Sequence, residues 1–210
     1  RKIVTALANK AFRGDAPVDS IDTVLSFYQR GRSAGTFDEG IEQAVARILV
    51  DPRFVFRFER EPANVAAGKA YRLSDLELAS RLSFFLWSSV PDAELVRVAA
   101  AGQLTQPAVF ERQVRRMLAD PRSQALVENF TGQWLGLRSV GANPPAEDLY
   151  PQYDRHLETS MIGESLAYFE EFLRHDLDCR QMIRSEFVTI NERLARFYGI
   201  PDVHGDEFRR

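Results

Sequence analysis

The feature that most constrains this chain is a helical spacing of apolar residues, interrupted by residues that start and stop helices. The clearest start is Ser74, with Glu77 three positions later. This spacing is typical of a capping box, in which each side chain accepts a hydrogen bond from the other residue's backbone N–H. Thr36 and Glu39 repeat the pattern. Since no segment requires a sheet, we predict an all-α fold, an irregular bundle of about nine to eleven helices.

The helices are predicted to form two consecutive modules. The segment 61–70 is short and rich in small residues, which is typical of a linker. We predict a small N-terminal helical module at 1–60 and a main helical module at 71–201. Residues 202–210 are predicted to begin a connection to a following domain. The chain starts at Arg1 without a methionine, so we expect it to be a piece of a longer protein.

Composition excludes several classes of function. The 27 lysines and arginines are outnumbered by 30 aspartates and glutamates, and the net charge of −3 gives no basic surface for nucleic acid. The single cysteine, Cys179, excludes an intrachain disulfide, a cysteine-rich zinc site and a haem-attaching Cys-x-x-Cys-His motif. No apolar run approaches the roughly 20 residues that a membrane-spanning helix needs. We therefore expect no nucleic-acid partner, no membrane span and no cofactor in this segment.

Two apolar segments that end in tryptophan are predicted to lie in the core. The run 84–87 is apolar on nearly every side of its helix, which is typical of a buried helix end. Leu126, Phe130 and Trp134 follow one another at four-residue spacing and are predicted to form one buried stripe.

Glu164 is the most interesting candidate for chemistry. It is predicted to lie on the apolar stripe of a long helix, where a carboxylate must find a partner or raise its pKa. Arg81 and Arg193 are possible partners. One interpretation makes Glu164 a general acid or base in a cleft. The interpretation that we favour is a structural tie between Glu164 and an arginine, because buried ion pairs are commonly architectural.

Two further sequence patterns are weaker indications of a functional site. Glu171 and His175 are one helical turn apart and form a weak candidate pair for a metal, but no further ligands are evident. Residues 31–35 match the Gly-x-Ser-x-Gly pattern of a nucleophile elbow, which requires a strand before the serine. Because a helix is predicted there, we interpret these residues as small residues between helices.

Three long segments together resemble a known family. They are YRLSDLELASRLSFFLWSSVPDAEL at 71–95, QVRRMLADPRSQALVENFTGQWLGLR at 113–138 and FVTINERLARFYGIP at 187–201. They resemble the planctomycete-type, cytochrome c-associated proteins, which are large exported bacterial proteins built from helical domains of unknown function. The resemblance covers residues 71–201, and residues 1–60 are similar to the small helical domain that precedes this region in the same proteins.

The resemblance implies a location and neighbours rather than an activity. It implies a periplasmic or extracellular protein, with a c-type haem domain elsewhere in the parent chain. Other domains of that chain, and a redox protein, would be the partners. The resemblance carries over no catalytic residue.

The function that we predict is a non-catalytic helical scaffold or interaction module within such a protein. The alternative is an enzyme module, associated with an oxidoreductase or acting on an extracellular polymer, that uses a partly buried carboxylate at Glu164.

Overall fold

Side-chain caps mark the beginnings of several helices, as the sequence predicted. The structure, a computed structural model, describes residues 1–66 and 68–210. Thr36 with Glu39, and Ser74 with Glu77, form complete capping boxes. The described chain contains no strand, and its only strand-like feature is a single bridge between Ile190 and Arg209. The predicted all-α fold is confirmed.

The chain divides into two compact units, unit 1 (1–116) and unit 2 (117–210). The helices of unit 1 are α1 (Lys2–Ala11), α2 (Val18–Ala34), α3 (Phe37–Leu49), α4 (Pro52–Val55), α5 (Asp75–Trp87) and α6 (Ala93–Ala100). The helix α7 (Pro107–Ala119) contains the boundary. Unit 2 continues with α8 (Gln124–Leu126), a π-helical turn (Val127–Thr131), α9 (Gly132–Trp134), α10 (Arg155–His175) and α11 (Glu192–Tyr198). No helix of the described residues is long and apolar enough to cross a membrane.

The described residues of the predicted linker form no regular helix. The predicted borders of the two modules and of the connection at 202–210 stay predictions.

Small residues let the first helices of unit 1 pack closely. Helices α1, α2 and α3 enclose a common core of Val4, Ala8, Phe12, Val24, Ala44 and Ile48. Gly40 is buried where α3 approaches α2, and a Cβ atom added there would lie 2.9 Å from the Tyr28 ring. A larger side chain at Gly40 would therefore force α2 and α3 apart.

Unit 2 combines a small apolar core with a buried polar contact. The core joins α10 to α11 through Leu157, Ile190, Leu194 and Ala195. Asn191 caps α11 by accepting a hydrogen bond from the Leu194 N–H, and its amide donates to the Ser160 hydroxyl of α10 at 2.9 Å. The final residues return to this core, because the Gly205 N–H donates to Glu192 and the Phe208 ring packs against Gly163.

Burial in the segment from α8 to α9 follows a five-residue spacing. Leu126 and Val127 are buried, and Thr131 and Gly132 are buried five positions later. The π-helical turn causes this spacing, since its hydrogen bonds join residues five apart. The helix surface that faces the core is thereby shifted from the one that a regular α-helix would present.

The shift makes part of the predicted core wrong. Phe130 is 41% exposed and Trp134 is 54% exposed, because the predicted stripe assumed regular α-helical spacing. The prediction for the run 84–87 is confirmed for Leu86 and Trp87, each only 3% exposed. It is wrong for Phe85, which is 58% exposed.

Candidate functional site

Glu164 lies on α10 and is bound by a tyrosine. The Tyr198 hydroxyl donates to Glu164 Oε2 at 2.8 Å, and the Thr189 hydroxyl donates to the Glu164 backbone carbonyl at 3.0 Å. Burial raises the pKa of the Glu164 carboxyl, and the hydrogen bond from Tyr198 offsets part of the increase. The pKa of Tyr198 is raised to about 12, mainly by burial and also by the hydrogen bond to Glu164 and the negative charge of Glu164. The carboxyl and the phenol therefore both hold their protons more tightly than the same groups do in water.

The two arginines considered as partners of Glu164 are engaged elsewhere. Arg81 binds Glu59 through two hydrogen bonds, one of them 2.9 Å long from Nε to Oε1. Arg193 donates to Asp154 at 3.1 Å and to the Gln152 carbonyl at 2.5 Å. The predicted tie between Glu164 and Arg193 is therefore wrong, because Arg193 instead joins α11 to the residues that begin α10.

The weaker sequence patterns do not assemble into sites. His175 Nε2 lies 3.5 Å from Glu171 Oε2, and the His175 side chain is 57% exposed. Within the described part of the chain, no group of three or more metal-ligating side chains surrounds them or any other point. Residues 31–35 lie at the C-terminal end of α2 instead of after a strand, so they lack the geometry of a nucleophile elbow.

An exposed apolar surface surrounds the end of α9. We call Phe130, Trp134 and Leu135 the Trp134 surface. Their exposed fractions are 41%, 54% and 48%. The Phe130 ring lies between Trp134, at a centroid distance of 5.7 Å, and the buried Phe169 of α10, at 5.4 Å. The exposed rings are thus anchored to the core of unit 2 through Phe130 and Phe169.

A second feature is a pocket of about 820 Å³ in unit 1, which we call the arginine pocket. It lies where the segment after α4 passes the beginning of α5. Its polar and charged lining consists of Arg13, Asp15, Arg53, Glu59, Arg60, Arg72, Ser74, Glu77 and Ser80, and its apolar lining of Phe12, Phe58, Pro62, Leu73 and Leu76. A pocket of this size suits a small organic molecule.

The arginine pocket was not predicted from the sequence. Its residues come from positions between 12 and 80, so only the fold brings them together. A local signal was present in the segment 53–60, which contains three arginines and three phenylalanines.

Two family models match the chain. Residues 73–200 match the model PSD4, described as a protein of unknown function (DUF1592). Residues 1–59 match the model PSD5, also described as a protein of unknown function (DUF1595). No curated protein matches the chain significantly, and neither does any solved structure. The matches confirm the predicted resemblance to domains of unknown function. Because the PSD4 match spans more than half of the chain, the protein belongs to the PSD4 family of proteins of unknown function (DUF1592).

Proposed function

We propose that the chain is a non-catalytic helical scaffold that binds a neighbouring domain through the Trp134 surface. The observation that carries this proposal is the exposure of Phe130, Trp134 and Leu135 around α9, where the Phe130 ring packs against the buried Phe169. Tryptophan and phenylalanine are enriched in the buried centres of protein interfaces, where they supply large contact areas. An anchored ring also loses little conformational freedom on binding.

The neighbouring domain belongs to the same parent protein in this proposal. The support is the resemblance of residues 71–201 to planctomycete-type, cytochrome c-associated proteins. The parent would be an exported protein, periplasmic or extracellular, with a c-type haem domain elsewhere in its chain and a redox protein as a further partner. The scaffold itself would hold no cofactor.

Hydroxyl-radical footprinting of the parent protein tests this proposal. The parent is purified from its source, and oxidation of Trp134 and Trp87 is compared between the parent and the 210-residue chain. We expect Trp134 to be oxidised readily in the isolated chain and protected in the parent, with Trp87 protected in both. Equal oxidation of Trp134 in the two proteins would contradict the proposal.

An absorption spectrum of the same parent sample tests the cytochrome link separately. We expect the bands of covalently bound haem c. A spectrum without them would remove the redox part of the proposal and leave the interaction surface to the footprinting result.

An enzyme module that uses Glu164 is the second candidate, favoured by the raised pKa of that carboxyl. A carboxyl that burial makes harder to ionise is better suited to act as a general acid. Its test is turnover of extracellular polymers by the parent protein, compared with its Glu164→Gln variant. Turnover that the substitution abolishes would support the enzyme, and turnover that it leaves unchanged would exclude a catalytic Glu164.

A further inference from the structure

We propose that the arginine pocket binds a small organic oxyanion, a molecule with a carboxylate or phosphate group on an apolar or aromatic body. This inference concerns unit 1 alone and does not depend on the Trp134 surface. It rests on three observations: which charged groups of the lining have partners, a buried hydroxyl in the pocket wall, and the apolar part of the lining.

The carboxylates of the pocket already have partners. Asp15 lies 3.3 Å from the Arg60 guanidinium, and Glu59 binds Arg81. Glu77 accepts hydrogen bonds from the Ser74 cap at 2.9 Å and from the Arg60 backbone N–H at 2.7 Å. These contacts lower the pKa of Glu77 against the opposing effect of burial. A cationic ligand would have to compete for carboxylates that the protein itself occupies.

Two arginines of the pocket carry charge that no carboxylate neutralises. Arg72 forms no hydrogen bond or ion pair with any other described residue. Arg13 donates only to backbone carbonyls, those of Arg53 at 2.6 Å and Phe56 at 2.9 Å. Burial, together with the nearby positive charge of Arg57, lowers the pKa of Arg13. An anion in the pocket would supply Arg13 and Arg72 with the negative partner that the described protein groups do not provide.

Arginine side chains are well suited to binding an oxyanion. Its planar guanidinium matches the oxygens of a carboxylate or phosphate through two parallel N–H donors. Every cation of the pocket lining is an arginine, although the chain also contains lysine.

Ser80 supplies an independent observation. It lines the pocket, is nine-tenths buried, and its hydroxyl forms no hydrogen bond. A buried hydroxyl without an acceptor is unfavourable, and an oxyanion beside it would provide one. The apolar part of the lining, which includes Phe12, Leu73 and Leu76, is available to the body of the ligand.

Isothermal titration of the 210-residue chain with sodium benzoate, phenyl phosphate and benzamide tests the inference. Benzamide has nearly the shape of benzoate without its charge. We expect at least one anion to bind at least about tenfold more tightly than benzamide, since a hydrogen bond to a charged group is about twice as strong as a neutral one. The anion that binds more tightly identifies the head group as a carboxylate or a phosphate. Equal binding of all three compounds, or no binding, would overturn the inference.

Matched variants locate the binding. Arg72→Gln should lower the affinity for the anion by about tenfold, since it removes an arginine that forms no bond with the other described residues. Arg112→Gln alters an exposed arginine of α7 outside the pocket lining and should leave affinity unchanged. Ser80→Ala should lower the affinity for the anion without lowering the stability of the free chain. If Arg72→Gln binds the anion as tightly as Arg112→Gln does, the site is not the arginine pocket.

Discussion

The two tryptophans of the chain end apolar helical segments that look alike in sequence but lie in opposite environments. Trp87, at the end of α5 in unit 1, is 3% exposed, whereas Trp134, at the end of α9 in unit 2, is 54% exposed. Helix α5 keeps regular α-helical geometry throughout, while a π-helical turn precedes Trp134. A local change of helix type thus converts a predicted core residue into a surface residue.

Asp51 of unit 1 and Glu164 of unit 2 are carboxyl groups whose pKa values are shifted in opposite directions. Asp51 in unit 1 lies between Arg47 and Arg53 at 3.0 and 3.1 Å. Burial opposes its ionisation, but the hydrogen bonds from Arg53 and the charges of Arg53 and Arg47 outweigh it and lower the pKa of Asp51. Glu164 in unit 2 has a tyrosine instead of an arginine, and its pKa is raised. Unit 1 neutralises its buried charge, and unit 2 retains a carboxyl that resists ionisation.

The largest expected difference in stability is between substitutions of the two tryptophans. Trp87→Ala should lower the free energy of unfolding by about 3–5 kcal/mol, as the removal of a large buried ring does. Trp134→Ala should lower it by less than about 1 kcal/mol, as is usual for an exposed site. Urea unfolding followed by far-ultraviolet circular dichroism measures both without using tryptophan fluorescence. Similar losses for the two variants would remove the distinction between the two helix ends.

Removing the charge of Asp51 should have the next largest effect. Asp51→Asn should cost about 2 kcal/mol at neutral pH, since it leaves two partly buried arginines without their carboxylate. The folded-state pKa lies below the unfolded value, so the stabilisation is present above the unfolded pKa and is lost as pH falls through the folded one. The difference between the two proteins should therefore shrink in acid. A difference as small as that for the exposed Glu42→Gln control would contradict the role of the arginines.

Two buried threonines offer a matched pair within unit 2. The Thr131 hydroxyl in the π-helical turn has no hydrogen-bond partner, whereas the Thr189 hydroxyl binds the Glu164 carbonyl. Thr131→Val should raise the free energy of unfolding by about 1 kcal/mol, and Thr189→Val should lower it by a similar amount. The same urea titrations measure both. A loss of stability in Thr131→Val would show that its hydroxyl is satisfied.

The smallest effect concerns Glu164. Its folded-state pKa is raised, so the stability that it contributes is present below the unfolded pKa and is lost as pH rises through the folded pKa. The Glu164→Gln variant should therefore be as stable as the unsubstituted 210-residue chain in acid and more stable than it near neutral pH. The gain should be smaller than the loss in Asp51→Asn, since Glu164 is only half-buried. Glu128→Gln, at an exposed glutamate, should show no such trend; a trend of the opposite sign in Glu164→Gln would mean that the folded state favours the ionised carboxylate.

The sequence predicted most of the fold because capping is local. Ser74 with Glu77, and Thr36 with Glu39, reveal helix starts through residues within one turn of one another. The exposure of Trp134 could not be predicted in this way, since no residue pattern marked the π-helical turn. The partner of Glu164 and the arginine pocket depend on contacts between distant positions, for example Tyr198 with Glu164, which a spacing rule does not contain.

Iodide quenching of two single-tryptophan chains tests the central contrast most directly. Trp87→Phe leaves Trp134 as the only emitter, and Trp134→Phe leaves Trp87. We expect the chain that retains Trp134 to emit at the longer wavelength of a water-exposed indole and to be quenched strongly, while the chain that retains Trp87 emits at shorter wavelength and resists quenching. Equal quenching of the two chains, or stronger quenching of Trp87, would contradict a surface that presents Trp134 for binding.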